Sequence, residues 1–197
     1  MQAAAGIGRG TQEVPPMKRS LAIAALIAGL AAPAFAATVM VGGQPMYPNK
    51  NIVENAVNSA DHTTLVAAVK AAGLVDTLEG KGPFTVFAPT NAAFAALPAG
   101  TVETLLKPEN KPTLVKILTY HVVPGRLTAA ELMHKIRAGH GEATLKTVSG
   151  GTLTLTMNGP HNIQVKDEKG DVADIIVYDI LQSNGVIYSI DHVLLPG

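Results

Sequence analysis

The sequence predicts an α+β fold, with helices gathered in the first half and an antiparallel meander in the second. Between Asn49 and Gly139 apolar residues recur at helical spacing, as Leu65, Ala68, Val69 and Ala72 do at i, i+3, i+4 and i+7. From Glu142 the period falls to two, most clearly in Thr152–Met157, where Leu153, Leu155 and Met157 alternate with threonines. One early apolar run, Phe84–Ala88, has a β-branched centre and reads as a buried strand. Helices and strands segregated in this way, without βαβ alternation, point to α+β rather than to a parallel sheet.

The N-terminal segment is set apart from that domain. Met17-Lys18-Arg19 is basic, Leu21–Ala32 is apolar, and Ala34-Phe35-Ala36 places small residues at alternate positions. This is the pattern of a secretory signal peptide over residues 1–36, with cleavage expected after Ala36 and Met17 as the expected initiator. The apolar run is shorter than the roughly 20 residues a spanning helix needs, so no membrane insertion is expected once it is removed. The chain has no cysteine, which excludes disulfides, thiolate chemistry and a lipidated cysteine. Without residues 1–36 the chain carries 12 basic and 14 acidic residues, a net of −2, and no basic stripe for nucleic acid.

Residues 37–48, rich in Gly and Pro, read as an arm lying on the domain, which is expected over 49–197. Asn49 or Asn51 is placed to cap a short helix, and Asp61 a second one that Gly73 ends. Pro89 stops the early strand and Thr90 caps the helix that follows. Thr101 is expected to cap the next helix, Pro112 fits the first turn of another, and Thr128 caps a last one with Leu132, Met133 and Ile136 inward. Tyr120-His121-Val122-Val123 leans towards strand. Asn158-Gly159 and Asn184-Gly185 are hairpin signals, and the apolar run Asp174–Leu181 is expected at the centre of the sheet. The early strand must then pair with strands a hundred residues later, and its phenylalanines are expected to seed one shared core.

Three stretches together resemble the fasciclin (FAS1) family. FTVFAPTNAAF at Phe84–Phe94 is similar to its first signature box, LTYHVVPGRL at Leu118–Leu127 to its Tyr-His segment, and NGVIYSIDHVLLP at Asn184–Pro196 to its second box. The resemblance covers Asn49 to Gly197 and is closest to the single-domain exported bacterial type. It implies a wedge-shaped antiparallel β-sandwich flanked by several short helices, used in adhesion or matrix contact. It also implies that Tyr120 and His121 belong to a segment used in partner recognition by animal members. Read from their neighbours alone, His121 and His192 are half-buried strand imidazoles held by one or two hydrogen bonds, with Asp191 a candidate partner.

Catalytic patterns are sparse. The six histidines show no paired metal-ligand spacing, and Ser149 and Ser183 lie in no Gly-x-Ser-x-Gly elbow. Lys169-Gly170-Asp171 resembles an integrin-read tripeptide, but a charged hairpin turn demands the same residues. The expectation is therefore an exported, periplasmic or extracellular, monomeric and non-enzymatic module. It would have no cofactor and no metal, and would contact a protein or glycan partner at the cell envelope or matrix. The alternative is a periplasmic carrier or enzyme that uses an apolar pocket between helices and sheet.

Overall fold

A computed structural model describes residues 38–197; the expected signal segment lies outside the described residues. The described residues open with a hairpin of β1 (Val39–Val41) and β2 (Gln44–Met46), where an arm was expected. Val41 and Met46 are buried, so the hairpin is part of the core. Gly42 at its tip has φ +57° and lies against the backbone of Ala60 and Asp61, where a Cβ would meet both amide nitrogens.

The helices follow from their caps. In α1 (Ile52–Ala56) the cap is Asn51, in a capping box with Glu54. α2 (Thr63–Ala72) buries Leu65, Ala68, Val69 and Ala72, and ends at Gly73 in the left-handed conformation. Asp61 does not cap it, because residues 60–62 form a 3-10 turn of their own. The cap comes from afar: Asn91 Oδ1 accepts from the Thr64 amide at 3.0 Å. After α3 (Val75–Glu79) comes β3 (Phe84–Pro89), then α4 (Asn91–Ala95), capped by Thr90 as expected. α5 (Thr101–Leu105) starts one residue after Gly100, which takes the cap position given to Thr101. α6 (Lys111–Tyr120) carries Pro112 in its first turn, and its last residue is Tyr120. β4 (Val122–Pro124) leads to α7 (Ala129–Ala138), where Thr128 and Glu131 form a second capping box. Thr128→Ala should cost about 1 kcal/mol by thermal or urea unfolding, since it strands an N-terminal amide.

The meander is β5 (Glu142–Lys146), β6 (Thr152–Asn158), β7 (Asn162–Lys166), β8 (Val172–Gln182) and β9 (Gly185–Ile190). The seven-stranded order is β4-β3-β9-β8-β7-β6-β5, with β8 at the centre as its apolar run implied. β8 pairs β7 through Val172–Asp174 and β9 through Ile175–Gln182, with register shifts in the β9 ladder between Ile175 and Val177 and between Val177 and Ile180, so it carries the sheet from one layer into the other. The outer edges approach each other: the Val148 amide donates to Val122 O at 2.7 Å and Ser149 to Thr119 O at 3.3 Å. The result is an α+β, barrel-like β-sandwich with short helices. It is not wholly antiparallel, because β3 pairs β9 in parallel, Phe84 opposite Gly185 through Pro89 opposite Ile190. The two strands are separated by α4–α7 and β4–β8, so no hairpin turn forces them antiparallel.

Two apolar clusters replace the single core expected. Val86 and Ala88 of β3 face the helices, with Leu65, Val69, Phe94, Leu118 and Ile187. Phe87 faces the opposite way, into a cluster with Leu132, Ile136, Leu153, Leu155, Val186 and Tyr188. That two-sided burial explains why the early strand is apolar at successive positions rather than alternating.

Candidate partner-binding site

Tyr120 and His121 sit where α6 turns into β4, with His121 as the helix C-cap rather than a strand residue. Tyr120 is 0% exposed; its hydroxyl donates to Thr152 O at 2.8 Å and accepts from the Glu168 amide at 3.0 Å. Burial pushes the phenol up to about 12, opposed by the Glu168 amide. His121 is 3% exposed and spans the junction. Its Nδ1 lies 2.9 Å from Ile117 O, and its Nε2 accepts from the Leu194 amide at 3.0 Å. Acceptance at Nε2 leaves the proton on Nδ1, so the ring is neutral and both nitrogens are used. Burial lowers its pKa to about 4, the Ile117 carbonyl opposing. The two side chains thus tie α6 to the start of β6, to the β7–β8 turn and to the C-terminal segment, and both are buried. Tyr120→Phe should cost about 1 kcal/mol, read by urea unfolding, because it removes the hydrogen bonds to the half-buried Thr152 carbonyl and the Glu168 amide.

His192 differs from its expected half-buried strand setting. It follows β9, its side chain is 58% exposed, and it pairs with Asp191 Oδ1 at 2.9 Å as anticipated. His62, for which the sequence offered no signal, is buried: Nδ1 lies 2.9 Å from Ser59 Oγ and Nε2 3.2 Å from Ser189 Oγ. Burial lowers its pKa. A Ser-His pair is the start of a nucleophile's arrangement, but the third group is a hydroxyl rather than a carboxylate, and Ser189 is 0% exposed. The row acts as a tie between the 3-10 turn and β9. Asn184 ties more of the fold than a turn requires: Oδ1 accepts from the Ile52 amide, and Nδ2 donates to Leu78 O and Gly80 O. At Lys169-Gly170-Asp171 the turn is shaped by Asp167, whose Oδ1 accepts from Lys169 and Asp171 amides and whose Oδ2 accepts from Leu195 N. Among the described residues no group of three His, Asp or Glu side chains is arranged to hold a metal.

The outer face of β5–β8 is an exposed polar surface. Inward residues Ala143, Leu145, Leu153, Leu155, Ile163, Val165 and Ala173 are buried, so their alternates face out. Register brings them into two cross-strand rows. One runs Glu142, Thr156, Gln164, Asp174; the other runs Thr144, Thr154, Lys166, Val172. Each row spans four strands, about 14 Å at the usual strand spacing. Hydroxyl, amide, carboxylate and ammonium groups stand there on a rigid sheet rather than on loops.

An apolar cavity of about 90 Å³ lies between the helices and β3, well below the roughly 300 Å³ of ordinary small-molecule sites. No helix among the described residues is long and apolar enough to cross a membrane.

Comparison with known proteins agrees with this architecture. Residues 60–196 match the family description "Fasciclin domain". Protein sll1483 of Synechocystis is 55% identical over 147 residues, covering 74% of this chain and 73% of that protein. Immunogenic protein MPB70 of Mycobacterium bovis is 38% identical over 146 residues, covering 72% of this chain and 66% of its own. The solved FAS1 domain pair of the insect cell adhesion molecule fasciclin I superposes with a TM-score of 0.67 at 17% identity. It covers 75% of this chain, which spans 51% of that one.

Proposed function

The chain belongs to the fasciclin domain family, and on that premise we propose that it is an exported, non-enzymatic binding module. It acts as a monomer at the cell envelope or in the surrounding matrix, and it reads a protein or glycan partner with the outer face of β5–β8. The observation that carries the reading is the division of polar groups. Tyr120, His121 and His62 are consumed inside, while Thr154, Thr156, Gln164 and Lys166 stand in register on an uncovered face. Supporting it are the signal-like segment at residues 1–36 and the adhesion role named for the insect molecule that shares the fold. Tyr120 and His121 contribute by holding the frame rather than by contact.

Crosslinking on living cells, followed by mass-spectrometric identification, tests this. The wild type should capture one envelope or matrix component. Thr156→Arg, which places a bulky cation in the middle of a row, should lose that component at an unchanged unfolding midpoint. Capture of the same component by both proteins would remove the outer face from consideration. A wild type that captures nothing would count against a binding module.

A further inference from the structure

We propose that Asn158-Gly159 is a site of spontaneous deamidation, which places a new carboxylate at the end of the outer sheet face. The chemistry is the same whether or not that face binds the partner proposed above. The chain holds two Asn-Gly pairs at the ends of β-hairpins, Asn158-Gly159 and Asn184-Gly185, and the fold treats them in opposite ways. Ring closure needs the backbone nitrogen of the following residue to reach the Asn side-chain carbonyl carbon. It is therefore easiest where that residue is glycine and both groups are free. Asn158 is the last residue of β6 and pairs with Asn162 across the loop Gly159-Pro160-His161. Residues 158–162 are all exposed. Among the described residues no hydrogen bond engages the Asn158 side-chain amide or the Gly159 N–H. Gly159 has φ +81°, and a Cβ built on it would meet no atom within 4 Å, so the space around the attacking nitrogen is open. Only the pair with Asn162, the last rung of the ladder, has to fray for the two groups to meet.

Asn184-Gly185 is the counter-case. Asn184 Oδ1 accepts from the Ile52 amide at 3.0 Å, and Nδ2 donates to Leu78 O at 2.7 Å and to Gly80 O at 3.0 Å. Gly185 is buried in β9, where a Cβ would meet Phe84 O and Ile52 Cδ1. The same dipeptide is held in one hairpin and loose in the other. At the loose one, the Gly159 nitrogen gives its proton to solvent and bonds to Asn158 Cγ. The Cγ–Nδ2 bond breaks, and Nδ2 leaves as ammonia with a proton from solvent. Water then adds to either carbonyl of the succinimide ring, which opens to aspartate or isoaspartate at position 158. The net change is amide and water to carboxylate and ammonium, with nothing oxidised or reduced. Asn158 follows Thr154 and Thr156 on the outward side of β6, so the new charge stands beside the row of Glu142, Thr156, Gln164 and Asp174. Isoaspartate also routes the main chain through the side-chain carbon, which lengthens β6 by a methylene and takes Asn162 out of register.

Incubation of the full chain at neutral pH in heavy-oxygen water, followed by peptide mapping with mass spectrometry, tests the proposal. The Asn158 peptide should convert with time and gain a single heavy oxygen, with isoaspartate exceeding aspartate when fragmentation separates them. The Asn184 peptide should convert about a hundredfold more slowly, because three hydrogen bonds must open first. In urea, where both sites are exposed, the two rates should converge. Asn158→Gln, at an exposed position where folding is not at stake, should stay unmodified over the same time. An Asn158 peptide that stays an amide in the folded protein while the urea-unfolded chain converts would overturn the proposal. Equal rates at Asn158 and Asn184 in the folded chain, or an Asn158→Gln variant that converts as fast as the wild type, would overturn it as well.

Discussion

Phe87→Ala should lower the free energy of unfolding by about 3–5 kcal/mol, measured by urea titration with an unchanged slope. Phe87 is 0% exposed and lies at the centre of the cluster between the two sheet layers. Its ring stacks on Tyr188 of the parallel neighbour β9, centroids 5.6 Å apart and planes 23° from parallel. Tyr188 is itself fixed, its hydroxyl donating to Leu127 O at 2.7 Å and lying 3.0 Å from Asp179 Oδ1. Removing the Phe87 ring leaves a cavity whose walls are held by hydrogen bonds and cannot collapse into it. A cost under about 1 kcal/mol would contradict this placement.

Stability should fall by about 3 kcal/mol as pH drops from 6.5 to about 4, through His121. Its folded pKa is depressed to about 4 by burial, while the unfolded chain protonates near 6.5. Above pH 6.5 both states are neutral there and the full stability is present. Between the two values the unfolded state binds a proton that the folded state refuses, so folding is progressively disfavoured. Below about 4 both states are protonated and this group adds no further loss. His62, also lowered by burial, acts in the same direction. Glu131 and Glu168, lowered chiefly by backbone amides of Thr128 and Gly197, begin to lose their contributions only as carboxylates protonate, at the acid end of this window. His121→Gln should start less stable at pH 7 and lose less over the same range. A wild type of constant stability from pH 6.5 to 4.5 would contradict the buried neutral imidazole.

Local physics made much of the fold legible. Thr90, Pro112 and Thr128 sit where their cap and first-turn chemistry places them. The alternation in Thr152–Met157 separates core from surface, and Asn184-Gly185 turns the last hairpin. What could not be read depends on residues distant in sequence. Asn91 caps α2 across 27 positions, which no local motif announces. The parallel pairing of β3 with β9 is a matter of topology, and the periodicity of Phe84–Pro89 is the same for either direction. Phe87 and Phe94 serve different clusters because a strand residue and a helix residue seven positions apart face different layers. At the site, Tyr120 and His121 were legible as a segment, yet their hydrogen-bond partners are Thr152, Glu168 and Leu194, all more than thirty positions away. His62 looked like any other histidine because Ser189, one of its two partners, lies 127 positions away. The outer face was half visible, since its threonines were expected to face away from the core. Its two rows needed the strand register.

We propose recognition by the outer sheet face because the Tyr-His segment is interior framework. Imidazole nitrogen NMR of His121 through a pH titration tests this most directly. One neutral tautomer, protonated at Nδ1, should persist until about pH 4. A His121 that titrates near 6.5, or that exchanges between tautomers at neutral pH, would show a solvent-facing ring and contradict it.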